Sequence, residues 1–101
     1  MENAFVIIVG TILCVLGITN IRGNISSIHW YNRTKVKLED IKKYGVAVGT
    51  GTLIVGISII ISNVLYMIFE NDALLSITLV GIIIGLAFIL YGQFKYNKGI
   101  F

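Results

Sequence analysis

The sequence predicts an all-α integral membrane protein with three transmembrane helices, and three observations predict it. Of the 101 residues, 56% are hydrophobic and only 13% charged, with no proline; a soluble domain carries about 45–50% apolar and about 25% charged residues. The charges are also segregated, leaving three uncharged runs at residues 4–21, 44–69 and 73–94. A helix needs roughly 20 apolar residues to cross a hydrocarbon core about 30 Å thick, and all three runs meet or approach that length. Finally, stretches such as GIIIGLAFIL lack the polar–apolar alternation of the roughly 10-residue strands in a membrane β-barrel. The same numbers exclude other classes. High hydrophobicity with little charge is the reverse of a disordered composition, and a lone Cys14 supports neither a disulfide framework nor a zinc ribbon.

Taken in order, the first span (4–21) sets Gly10, Cys14 and Gly17 on one face. The positive charge follows this span, whereas a secretory signal begins with one; Met1-Glu2-Asn3 therefore reads as the start of an uncleaved span. The connection 22–43 carries Arg22, Arg33, Lys35, Lys37, Lys42 and Lys43, and the tail carries Lys95 and Lys98. With three spans these two segments share a side, and they hold all eight basic residues. The other side has Glu2, Glu70 and Asp72. The excess of lysine and arginine in cytoplasmic loops then predicts the N-terminus outside and the C-terminus inside. The net charge of +3 thus speaks for topology and contact with anionic membrane lipids, not for nucleic acid.

Within the connection, Ser26 to Tyr31 mixes polar and apolar residues and sets Trp30 and Tyr31 at the level of an interfacial aromatic belt. Residues 23–37 are expected to form an inner interfacial loop or short helix. Glu39 and Asp40 suit a helix start, where unpaired backbone amides carry partial positive charge, so the second helix is expected to begin near Leu38. The run 44–69 would be about 39 Å long at 1.5 Å per residue and must tilt or begin outside the core. It contains the small-residue pairs Gly45/Gly49, Ala47/Gly51 and Thr52/Gly56. An outer turn at 70–72 predicts an antiparallel hairpin with the third span, in which Gly81 and Gly85 share a face with Thr78 and Gly92. Lipid tails give helices little hydrophobic reason to associate, so such small residues govern contact. One smooth stripe per helix is expected to close a single three-span domain covering residues 1–101, or to serve a homo-oligomer or a partner's helix.

The chemistry is sparse. No catalytic set, cofactor site or metal site is expected: His29 is the single histidine, and a zinc site needs three or four ligands. Cys14 is expected to act as a small packing residue. Thr50, Thr52, Ser58, Ser62 and Asn63 lie within the second span; hydroxyls there bond back to their own helix, so Asn63 alone is expected to seek a partner on another. All three spans lack Asp, Glu, Lys, Arg and His, the groups that coupled transporters place in the membrane. GTGT inside an apolar helix is no phosphate-binding loop.

The stretch NISSIHWYNRTKVKLEDIKKYGVAVGTGTLIVG resembles the loop-and-helix unit of small, largely uncharacterised bacterial multi-span membrane proteins. It is similar also to the SdpI-like bacteriocin-immunity family, in which an Arg-Thr pair follows a membrane-proximal turn, then acidic residues, then a helix with spaced glycines. Arg33-Thr34, Asp40, Gly49 and Gly56 match that layout, over roughly residues 24–56. Tyr31 stands where that family has a glycine, and its tryptophan early in the second helix is missing here.

The resemblance implies a non-enzymatic protein of the bacterial cytoplasmic membrane that acts by binding, in immunity to a membrane-targeting toxin or peptide. Arg33, Thr34 and Asp40, with Trp30 and His29, are the expected partner- or lipid-binding residues; Gly45, Gly49, Gly56, Gly81 and Gly85 are the expected packing residues. A planar, permanently charged Arg33 can pair with phosphate headgroups or with Glu39 or Asp40. Two other roles fit the composition: a small subunit of a larger membrane complex, and a holin-like pore-former.

Overall fold

A computed structural model describes residues 2–25 and 36–98. It contains three long helices, α1 (Glu2–Ile21), α2 (Ile41–Phe69) and α3 (Ser76–Tyr96). A 3-10 turn at Leu38–Asp40 leads into α2, and another at Asp72–Leu75 leads into α3. All three helices are long and apolar enough to cross a membrane. The molecule is 46 Å in its longest dimension, against about 40–45 Å for a bilayer with its headgroups. The 29 residues of α2 account for most of that length.

α2 is the centre of the assembly. Both α1 and α3 pack antiparallel along it and make no comparable contact with each other. In place of one small-residue stripe, α2 has two. Gly45, Gly49 and Gly56 face α1, where they meet Asn20, Gly17 and Gly10. Ala47, Gly51 and Ser58 face α3, where they meet Gly92, Gly85 and Gly81. The expectation of a single stripe fails because the glycines of α2 fall on two sides of the 3.6-residue turn, one for each neighbour. The backbones are close at both seams. A Cβ on Gly49 would lie 2.5 Å from the Gly17 carbonyl oxygen, and one on Gly17 would lie 2.7 Å from that of Gly49. At the other seam, a Cβ on Gly51 would collide with the Gly85 carbonyl. Any side chain there would force the helices apart.

The remaining faces are apolar and exposed. On α1, Phe5, Ile8, Ile12, Val15 and Ile18 recur at helical spacing along one outer face, as a lipid-facing helix requires. Hydroxyls are satisfied locally: Thr11 donates to the Ile7 carbonyl, Thr52 to Val48 and Ser58 to Ile54, each at 2.8–2.9 Å. The expectation for Asn63 is corrected. Its amide donates to the Ile59 carbonyl on its own helix at 2.8 Å. Beside it, Ser62 makes a bond between helices, shared with the Thr78 hydroxyl. Gly81 removes the bulk beside Ser58, so α2 and α3 approach closely enough for two short side chains to meet.

The ends have specific causes. α1 stops in a Schellman arrangement: the Gly23 N–H donates to Asn20 O at 2.9 Å and the Asn24 N–H to Thr19 O at 3.0 Å. Gly23 takes φ +100°, a conformation natural to glycine alone. α2 begins where the sequence suggests, near Leu38, but as a 3-10 turn that becomes α-helical at Ile41. Asp40 occupies the N-cap position without a capping side-chain hydrogen bond. At 70–72, Glu70 enters the left-handed region at φ 52°, and the Asn71 side chain accepts the Ala73 N–H at 2.9 Å. The tight turn is therefore present, and α3 follows it three residues later than the uncharged run suggests.

Candidate functional site at the basic end

The end of the molecule holding Arg22, Lys37, Lys42, Lys43, Lys95 and Lys98 buries polar groups contributed by all three helices. Asn20, Tyr44, Gln93 and Asn97 are all nearly or wholly inaccessible. They come from the end of α1, the start of α2 and the end of α3, so every helix contributes to this layer. The Tyr44 hydroxyl donates to Gln93 Oε1, linking α2 to α3. The Asn20 amide donates to the Asn24 carbonyl at 2.9 Å and so fixes the chain leaving α1. Each of these residues has further engagements, and among the described residues no buried side-chain nitrogen or oxygen lacks a hydrogen-bond partner. Such satisfaction is what makes a buried polar layer tolerable in an apolar surrounding.

Around this layer lies a small apolar cluster. Ile25, Tyr44 and Val48 are buried together, with Val36, Ile41, Ile89 and Tyr96 packed against them. Ile25 and Val36 flank residues 26–35, so both approaches to that segment are secured on one foundation. His29, Trp30, Arg33 and Thr34 fall within 26–35, outside the described residues. Asp40 is half-buried at the entrance to α2, and the packing glycines Gly45, Gly49, Gly56, Gly81 and Gly85 are all buried at helix seams.

Beside the layer a groove of about 800 Å³ opens between α2 and α3. Glu39, Lys42 and Lys43 form its charged rim; Val46, Ala47, Thr50, Ala87, Phe88, Tyr91 and Tyr96 form its walls. Lys95 completes that side. Its ammonium donates to the Tyr91 hydroxyl at 2.8 Å and stands 5.2 Å and 5.7 Å from the Tyr91 and Tyr96 ring centres. The two rings meet edge to face at 6.4 Å. This combination of aromatic body and cationic tip suits a membrane–water boundary.

Sequence reasoning did not single out Asn20, Tyr44, Gln93, Asn97 or the groove. The polar layer has a signal: each residue is an uncommon hydrogen-bonding group near the basic end of its own helix. The groove has none, because it depends on how far α2 and α3 diverge. No group of three or more metal-ligating side chains occurs among the described residues. Compared with known proteins, the chain matches no family model, no curated protein and no solved structure.

Proposed function

We propose that this chain is a non-enzymatic protein of the bacterial cytoplasmic membrane that acts by binding, and that its role is immunity or resistance to a membrane-targeting toxin or peptide. One observation carries the reading: Ile25 and Val36, on either side of residues 26–35, pack on the same buried cluster with Tyr44 and Val48. A recognition segment needs firmly anchored flanks, and residues 26–35, between two such flanks, include His29, Trp30, Arg33 and Thr34. Its basic surroundings favour the cytoplasmic side. The matching Arg-Thr, Asp40 and glycine pattern of the SdpI-like family supports the same reading.

The test is a growth assay in a bacterium sensitive to membrane-active peptides, expressing either the chain or its Arg33→Ala variant. Protection against a particular peptide by the first and not the second supports the role. Equal sensitivity with and without the chain across the peptide panel counts against it. A second reading, a small subunit of a larger membrane complex, is favoured by the broad exposed apolar surface of α3, including Leu79, Ile83 and Phe94. It predicts stoichiometric co-purification with a larger membrane protein in mild detergent.

A further inference from the structure

We infer that the groove between α2 and α3 is a binding site for one phospholipid with an anionic headgroup, its acyl chain along the apolar walls and its phosphate at Lys42 and Lys43. The inference stands apart from the immunity reading, since it rests on other residues and either can fail alone.

Three features of the groove select this occupant. Its volume of about 800 Å³ lies within the roughly 300–1,000 Å³ of small-molecule sites, yet its walls include the exposed Val46, Phe88 and Tyr91 on the outer faces of α2 and α3. Its walls are apolar apart from three hydroxyls, those of Thr50, Tyr91 and Tyr96, while charge is confined to the rim. That is the polarity profile of a single amphiphile standing in a membrane. The rim carries two lysines against Glu39, with Lys95 held beside it over Tyr91 and Tyr96. The balance is positive, and basic recesses between transmembrane helices attract anionic headgroups.

A partner helix suits the groove less well. Close association in lipid needs small residues that let backbones approach, and the glycine faces of α2 are already occupied by α1 and α3. The groove presents Phe88, Tyr91 and Tyr96. These bulky rings keep another backbone at a distance but contact a flexible acyl chain readily.

The experiment is native mass spectrometry of the whole chain in mild detergent, titrated with palmitoyl-oleoyl phosphatidylglycerol or with the matching phosphatidylcholine. The expected result is one phosphatidylglycerol retained in preference to phosphatidylcholine. Lys42→Gln and Lys43→Gln should each weaken it about fivefold. Glu39→Gln should strengthen it, a gain that general destabilisation cannot imitate. Ala87→Trp fills the groove and should remove the bound lipid; its helicity, checked by circular dichroism, should be retained. Retention of both lipids alike, indifference to the three rim substitutions, or lipid that survives Ala87→Trp in a folded protein would each overturn the site. A dimer that Ala87→Trp abolishes would place a second copy in the groove and overturn it equally.

Discussion

Tyr44 shows how much a single side chain can matter where water is scarce. It is wholly buried, contributes its ring to the apolar cluster and donates its hydroxyl to Gln93 on another helix. Hydrogen bonds between membrane helices contribute on average about 0.6 kcal/mol and at most about 1.7. A double-mutant cycle of Tyr44→Phe and Gln93→Leu, followed by unfolding in mixed micelles, should therefore give a coupling of about 0.5–2 kcal/mol. A coupling near zero would mean that the pair is geometric neighbours only. Ser62 and Thr78 form another side-chain bond between α2 and α3. They are worth the same test, because their residue types on sequence alone suggest only back-bonding within a helix.

At the scale of the element, the helices and the turn between α2 and α3 were legible because their causes are local. Uncharged length dictates a span, and Glu70-Asn71-Asp72 interrupts the apolar pattern. Asp40 shows the limit of that reasoning: its place at the start of α2 follows from charge, but its lack of a capping bond follows from backbone geometry. The division of the α2 glycines between two neighbours was only half legible, since spacing reveals a face and not its occupant. The structure distinguishes packing positions from lipid-facing ones sharply. Gly85→Ala brings a Cβ against Val55 and the Gly51 carbonyl, so it should cost about 1–3 kcal/mol. Ile83→Ala, two residues away at 61% exposure, should change stability by no more than about 0.5 kcal/mol. Reversible unfolding of both variants in one detergent provides the comparison.

On the scale of the whole molecule, charge divides the two ends. Glu70 and Asp72 mark one, and the lysines of α2 and α3 mark the other. In a background where Cys14 is alanine, cysteine at position 71 (Asn71→Cys) should react with a membrane-impermeant maleimide added to intact cells. Lys98→Cys should react only after the membrane is opened; the reverse pattern would invert the topology. The site at the basic end was less legible than the fold, because Tyr44 and Gln93 are far apart in sequence and meet only when the ends of α2 and α3 are brought level. The central position of α2 has a further consequence. It is a party wall: α1 and α3 lean on opposite sides of it and owe each other nothing. Damage on one side should therefore leave the other side's energetics untouched. The losses from Gly17→Ala and Gly85→Ala should sum in the double variant to within about 0.5 kcal/mol, making the protein thermodynamically two hairpins that share one helix.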